Sequence, residues 1–213
     1  MHAVADWVTI SALATAGGTL ALAVSTFGSV RSANRAARAA ERSLLAGLRP
    51  LLVPSRSDDP VQKVPYSDDH WEKLPGSGAI ASVADDVVYF AISLRNIATG
   101  LAVLHGWRLH AGWYEGGGER PPVEDFHRLT RDLYIPAGDL GYWHGALRDP
   151  SSAEFREAAD AIGRGERLTI DVLYGDQEGG QRVISRMALR PLPDGRWLAV
   201  AGRHWQLDRS DPR

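Results

Sequence analysis

Hydrophobic positions run unbroken in one part of this chain and alternate with polar ones in several others. The unbroken run is WVTISALATAGGTLALAVSTFGSV, Trp7 to Val30, 24 positions without a charged residue. An α-helix rises about 1.5 Å per residue, so this one would be roughly 36 Å long. A bilayer's hydrocarbon core is about 30 Å thick, which such a helix crosses with some tilt. The pattern predicts a transmembrane helix. Two other readings share the run. A cleaved signal peptide carries a basic leader and a shorter apolar core, whereas the six residues before Trp7 include Asp6 and no Lys or Arg. A buried helix of a soluble domain would accommodate the hydroxyls of Thr9, Ser11, Thr15, Thr19, Ser25 and Thr26.

Beyond residue 50 the period changes to two. Val88, Phe90, Ile92 and Leu94 alternate with Tyr89, Ala91, Ser93 and Arg95, the pattern of a strand half buried in a sheet. After a turn at Asn96 to Gly100, an alternating set runs Leu101, Val103, His105, Trp107, Leu109, Ala111, Trp113. Leu168, Ile170, Val172 and Tyr174 form another set, and Val183 to Leu189 returns after the turn 175–180. Pro193-Asp194-Gly195 then leads into Arg196 to Leu207, so the last three strands read as a meander. Leu51 to Val53 reads as a first strand. Leu133 to Ile135 and Tyr142-Trp143 read as short strands around the turn 136–139. Residues 55–78, with Pro60, Pro65 and Pro75, read as a long loop that docks through Tyr66 and Trp71. Asp149 to Ser152 starts one short helix with the stripe Phe155, Ala158, Ala159, Ile162, stopped by Gly163 and Gly165.

These elements predict a mainly β fold: a transmembrane helix continuing into a juxtamembrane helix, then an antiparallel, Ig-like β-sandwich with one short helix. A small closed barrel is the other architecture the strands allow. The expected organisation is a transmembrane anchor over 1–30, a basic juxtamembrane helix over 31–48, the sandwich over 49–207 and a tail over 208–213.

Charge orients the anchor. Residues 31–56 hold six arginines and one acid, Glu41, for +5, against Asp6 on the other flank. Basic residues stay on the cytoplasmic side, so the sequence predicts a single-pass protein of the cell membrane with its C-terminal domain cytoplasmic. Trp7, Arg31, Arg35, Arg38 and Arg42 are the expected membrane-contacting residues, and the bilayer is the first expected partner. Out of a total of −2, these segments leave −6 on residues 57–213. An acidic domain on a basic collar is a poor nucleic-acid binder, because binding a phosphate backbone needs clustered cations, so nucleic acid is not an expected partner. Only Lys63 and Lys73 are lysine among 24 basic residues, a coding bias that argues against giving every arginine a purpose. Gly17, Ala21, Ser25 and Ser29 recur every four residues. That spacing lets two membrane helices approach closely, which makes a homo-oligomer through this helix a candidate.

Little in the chain points to a reaction. There is no cysteine, which removes disulfides, thiol catalysis and Cys-type zinc sites. The Gly runs at 116–118 and 179–180 lack the Lys-Ser/Thr of a P-loop, and no G-x-S-x-G occurs. His105 and His110, five apart on a strand, point to opposite faces. Glu124 and Asp125 beside His127 would suit zinc or calcium, but loop acids beside a histidine are ordinarily solvated. His144 and His204 each adjoin a Trp and read as half-buried rims. Asp171, Asp176, Glu178, Arg182 and Arg186 lie on two facing strands and read as cross-strand ion pairs worth about 0.2–1 kcal/mol. No catalytic residue, cofactor or metal ligand is assigned. Of the six domain tryptophans, Trp71, Trp107, Trp113, Trp143, Trp197 and Trp205, most are expected in the core, with one or two on a sheet face as a protein-binding patch.

Two stretches carry a resemblance. LRNIATGLAVL, residues 94–104, resembles the L-x-N-x-G-x-G-x-A strand–turn–strand of many bacterial membrane-anchored proteins. YGDQEGGQRVISR, residues 174–186, resembles their Y-x-D-x-x-G-x-x-R hairpin. With Arg49-Pro50-Leu51-Leu52 matching an R-P-x-L strand start, most of the chain is similar to uncharacterised actinobacterial single-pass membrane proteins with an Arg/Ala-rich juxtamembrane helix and a sandwich-like domain. Ala98 stands where that pattern has Gly, which implies a less tight first turn. The resemblance brings no assigned activity. The expected function is a membrane-anchored protein-interaction or scaffolding module with an unidentified protein partner. The rivals are an enzyme using residues 124–127 or 171–186, and an envelope-side binding domain if the topology is inverted.

Overall fold

The computed structural model of the chain describes residues 3–112 and 118–210, in two compact units, 1–46 and 47–213. One helix, α1 (Ala3–Gly47), makes the first. Residues 31–48 contain no proline and many alanines, so nothing interrupts the helix where the apolar run ends. It stops before Arg49-Pro50, because proline disfavours the helical conformation of its predecessor. Five of its hydroxyls turn back on their own helix. Ser11 donates to Val8 O at 2.9 Å, Thr15 to Ser11 O at 2.9 Å and Thr19 to Thr15 O at 2.8 Å. Ser25 donates to Leu22 O and Ser29 to Ser25 O, both at 2.9 Å. Serine and threonine that hydrogen-bond within a helix leave no unsatisfied donor in an apolar surrounding. α1 is long and apolar enough to cross a membrane.

The second unit is mainly β. Its strands are β1 (Leu52–Pro54), β2 (Gln62–Pro65), β3 (Trp71–Leu74), β4 (Gly78–Ala84), β5 (Val87–Asn96), β6 (Ala102–Ala111), β7 (His127–Ile135), β8 (Leu140–Leu147), β9 (Leu168–Gly175), β10 (Arg182–Pro191) and β11 (Trp197–Gln206). The helix α2 (Ala153–Gly163) lies between β8 and β9. Nine strands form one antiparallel sheet in the order β1-β5-β4-β11-β10-β9-β6-β7, with β8 also paired to β5. The sheet curls until its arms face each other across one core. Phe90 on β5 and Trp107 on β6 are not on paired strands, yet their ring centroids lie 6.0 Å apart. Trp107 meets Trp143 on β8 at 5.4 Å. Tyr174 on β9 accepts from Leu52 N of β1 at 3.1 Å through its hydroxyl. Phe155, Ala158 and Ala161 of α2 join the same core, and Ser152 caps the helix by accepting from Phe155 N. The antiparallel layers, the short helix and the β9–β10–β11 meander match the sequence reading, with the layers joined by continuous pairing.

Three elements depart from it. The long loop 55–78 holds the hairpin β2–β3. Its Val64, Tyr66 and Leu74 pack on Ile80, Tyr89 and Ala91, so β5 is buried on both faces. The supposed outer set of β5 contains Tyr89 and Ala91, and those apolar positions receive the hairpin. The expected docking aromatics part company: Tyr66 is buried, while Trp71 is 51% exposed under the Lys63 ammonium. On β6, the single alternating set breaks at a bulge between Leu104 and Gly106. Ala102 and Leu104 face the core, and so do Trp107 and Leu109. One extra residue in a strand exchanges its faces from that point on. Gly106 makes the bulge feasible, since a Cβ there would lie 2.8 Å from His127 O. Trp113, at the far end of that set, lies outside the described residues. Finally, the short strand expected at 133–135 is the C-terminal end of the longer β7, and the one at 142–143 lies within the longer β8.

Asn96 locks the turn after β5. Its amide donates to Gly100 O at 2.6 Å and Ile135 O at 3.1 Å, and its carbonyl accepts from Leu51 N and Ala98 N. A Cβ on Gly100 would lie 1.6 Å from Leu48 O, so only glycine fits there.

Candidate functional site

β7 and β8 are consecutive and joined by the turn Pro136–Asp139, closed by Asp139 N donating to Pro136 O at 3.2 Å. They do not pair with each other. β7 is laddered to β6 and β8 to β5, so the two strands diverge from their own turn and leave a seam in the curled sheet. The β6–β7 register widens the seam. Gly106 pairs with Arg128 and Leu104 with Leu133, which bulges Leu129 to Asp132 away from β6. The seam holds a cavity of about 230 Å³. Tyr66 and Ser67 close one side of it, and Trp107 with His127 and Arg128 another. Thr130, Arg131, His144 and Arg148 complete its polar lining.

Two histidines in this cleft are shifted in opposite directions. His127 Nε2 lies 2.9 Å and 3.1 Å from the two Glu154 carboxylate oxygens, and its ring sits 4.7 Å from Trp107. The hydrogen bond to Glu154 raises its pKa above the usual histidine value. His144 is half-buried against Tyr66, ring centroids 5.2 Å apart. Burial first, then the Arg131 and Arg148 cations, lower its pKa to about 4. It is therefore neutral at pH 7, and its Nε2 accepts from the Arg131 guanidinium at 3.1 Å. Arg131 also donates to Pro65 O at 3.1 Å. Arg148 donates to Ser67 Oγ at 3.0 Å and Asp68 Oδ2 at 3.1 Å, and Asp68 in turn accepts from Tyr89. The hairpin β2–β3 thus fixes both arginines. Burial pushes the Tyr66 hydroxyl well above the normal tyrosine range, and it donates to Phe90 O at 3.1 Å.

The residues singled out in the sequence are mostly dispersed. Glu124 and Asp125 form a 3₁₀ turn, Val123–Asp125, and do not join His127. Asp125 lies 3.9 Å from Arg108, and the carboxylate that reaches His127 comes from α2. His105 is half-buried and His110 exposed, and they share no site. Asp171 and Arg186 face each other in the β9–β10 register and form an ion pair with contacts of 2.7 and 2.8 Å. The pair is buried, with side chains 4% and 6% exposed, and the guanidinium lies 4.8 Å from the Trp205 ring. It is a structural pair of the sheet, in which each charge offsets the desolvation cost of the other. Asp176 accepts from Gln181 N and holds the hairpin turn, while Glu178 and Arg182 are exposed. His204 Nδ1 lies 2.6 Å from Ser185 Oγ, which lies 2.8 Å from the Tyr174 hydroxyl. Ser185 and Tyr174 are wholly buried, so their hydroxyls brace the core. On α1, Trp7 is 73% exposed. Arg31, Arg35, Arg38 and Arg42 are exposed, as are Gly17, Ala21, Ser25 and Ser29. Among the described residues, no three His, Asp or Glu side chains converge as a metal set.

The seam itself escaped the sequence reading. Its residues come from 66–67, 107, 127–133 and 144–148, and no local pattern links them. The one signal was the concentration of Arg and His in 127–148 of an otherwise acidic domain.

No protein-family model matches this chain, and no curated protein does. Among solved structures it is similar to one described as "Crystal structure of protein from Archaeoglobus fulgidus", at 13% sequence identity and a TM-score of 0.23, over 62% of this chain and 94% of that one. A likeness that weak carries no argument.

Proposed function

We propose that this chain is a non-enzymatic binding module of the cell membrane: α1 spans the bilayer, and the β domain engages a protein partner or a second copy at the cytoplasmic face. The observation that carries the reading is α1 itself. Its apolar side chains from Trp7 to Leu45 are exposed, five of its hydroxyls donate within the helix, and arginines follow directly. An apolar helix with that surface is stable where lipid covers it, and the basic flank favours the cytoplasmic side. The absence of catalysis is supported by the burial of Ser185 beside His204 and by the dispersal of the loop acids. Second copies are supported by the stripe Gly17, Ala21, Ser25 and Ser29, exposed small residues at a four-residue spacing that lets two membrane helices approach closely.

The test is a pair of C-terminal fusions to the full chain. A fluorescent protein should glow and alkaline phosphatase should be inactive, with both fusions resisting alkaline carbonate extraction from membranes. A carbonate-soluble chain, or an active phosphatase, overturns the topology. Turnover in an esterase and phosphatase screen, lost in His127→Ala, overturns the non-enzymatic part.

A further inference from the structure

We propose that the seam between β7 and β8 binds a phosphate monoester group, presented either by a small soluble ester or by a lipid headgroup. The inference rests on the binding-module reading and gives that module a ligand class.

The lining decides the sign of the ligand. Arg128, Arg131 and Arg148 line the cavity, with no Asp or Glu among its lining residues; His144 is neutral and the Glu154 carboxylate holds His127, so the arginines alone set the sign. This happens in a region, 57–213, that carries −6, so the cleft is a cationic hole in an acidic surface. Arg131 is the centre of the argument. A guanidinium has five N–H donors. Those of Arg131 meet the Pro65 carbonyl and the neutral His144 imidazole, partners that aim the fork without cancelling its charge. Arg148 is held by Ser67 and by Asp68, which stands outside the lining. A guanidinium oriented in advance matches a compact oxyanion at low entropic cost.

Number and size then choose among oxyanions. Three arginines converge on one cavity, more donors than the two oxygens of a carboxylate can accept, whereas a phosphate monoester presents three terminal oxygens. The volume of about 230 Å³ falls below the range of drug-sized sites, about 300–1,000 Å³. It suits a single phosphate with a short carbon stub, for which half-buried Leu129 and Leu133 supply an apolar wall.

The experiment uses the full chain in maltoside micelles, titrated with inorganic phosphate and followed by calorimetry and thermal shift. Expected is saturable binding, weakened by about tenfold or more in Arg131→Gln and in Arg148→Gln, as loss of a charge-assisted hydrogen bond requires. Arg164→Gln, whose charge is spent on Glu166, should bind as the unaltered chain does. If Arg148→Gln melts early through loss of its Asp68 contact, Arg131→Gln decides alone, because Arg131 is exposed and holds no carboxylate. The absence of saturable binding overturns the proposal, and so does binding that Arg131→Gln leaves intact. Two further arms separate the sources. Displacement of inorganic phosphate by phosphatidate in mixed micelles, but not by glycerol phosphate, assigns the headgroup. Displacement by glycerol phosphate in lipid-free micelles assigns a soluble ester. Either result upholds the phosphate site. Failure to bind phosphate leaves the fusion and extraction results standing. Release of inorganic phosphate from glycerol phosphate would keep the site and overturn the non-enzymatic reading.

Discussion

His127 at the start of β7 and Glu154 in the first turn of α2 are joined across the mouth of the seam, with Nε2 within 3.1 Å of both carboxylate oxygens. The contact ties the helix to the strand that the bulge at 129–132 has loosened from β6. It also sets His127 apart from His144, the other imidazole of the cleft. Glu154 favours the charged form of His127. Burial, with Arg131 and Arg148, favours the neutral form of His144.

The two histidines therefore give the fold opposite pH dependences. His144 has a folded pKa of about 4, below the unfolded value near 6.5. Its contribution is complete above pH 6.5 and is lost as pH falls towards 4, because the unfolded chain then binds the proton more readily. His105, also lowered by burial and Arg182, acts in the same direction. His127 is raised, so its contribution is complete below pH 6.5 and fades as pH climbs through its folded value. Melting curves should show stability falling from pH 6.5 to pH 4.5. His144→Gln should flatten that limb without abolishing it. His127→Gln should instead remove stability at pH 6 and little at pH 9. An acid limb unchanged in His144→Gln would refute the assignment.

The buried pair of Asp171 and Arg186 should behave asymmetrically. Removing one partner strands a charge in the sheet, which typically costs about 3–5 kcal/mol. Asp171→Asn and Arg186→Met should each lower the urea midpoint sharply. The double change Asp171→Leu with Arg186→Met should recover most of the loss, since no uncompensated charge remains and Trp205 still has an apolar partner. Additive losses in the double variant would show that the pair does more than satisfy itself.

Much of the fold was legible because period two is a local property. β9 and β10 place the sets Leu168, Ile170, Val172, Tyr174 and Val183, Met187, Leu189 in the core, and the turns at 175–180 and 193–195 carry glycine and aspartate in the positions a hairpin needs. α1 was legible from its length alone. The failures are also physical. The β2–β3 hairpin is short and proline-bounded, so its pattern is too brief to separate from a loop, yet it buries the second face of β5. The bulge at His105–Gly106 reverses the faces of β6, and alternation counted straight through it misassigns Val103 and Leu101. The seam is a property of which strands pair, β7 with β6 and β8 with β5, and pairing between distant strands leaves no trace in a single sequence. Only the Asp171–Arg186 pair among the expected polar contacts was correctly placed, and its burial went unseen because nothing local reports what covers a strand.

The turn Asp85-Asp86 between β4 and β5 stores a correctable cost. Ala84 pairs with Val87, which makes a two-residue hairpin, and both aspartates take positive φ, 48° and 57°. Such turns favour Asn-Gly, since the left-handed region costs a side-chain-bearing residue roughly 1–2 kcal/mol. Glycine gives back part of that gain through its own entropy, roughly 0.5–1 kcal/mol. Asp86→Gly should therefore stabilise the fold by about 0.5 kcal/mol, while Asp86→Val should destabilise it. Chemical denaturation resolves the two, and a stabilising Asp86→Val would contradict the strained turn.

The last prediction concerns where the β domain begins. A unit of about 167 residues, 47–213, should bury roughly 70% of its unfolded surface, enough for an independent core. Its first residues are structural. Gly47 O accepts from the Thr99 hydroxyl, and the Leu48 carbonyl lies where any side chain on residue 100 would fall. The Arg49 guanidinium donates to Asp208 at 2.8 Å, with only 11% of the Arg49 side chain exposed. A chain beginning at Gly47 should be soluble without detergent, rich in β-structure by circular dichroism, and melt in one cooperative step. A chain beginning at Leu51 keeps every strand but loses those three contacts, and should be weaker by about 1–3 kcal/mol at the net worth of such hydrogen bonds. Arg49→Gln in the longer chain should reproduce part of that loss. Gly100→Ala should cost more than either, because the clash is with backbone that cannot move without opening the Asn96 turn. Equal stability of the two truncated chains would mean that residues 47–50 only link α1 to the sheet.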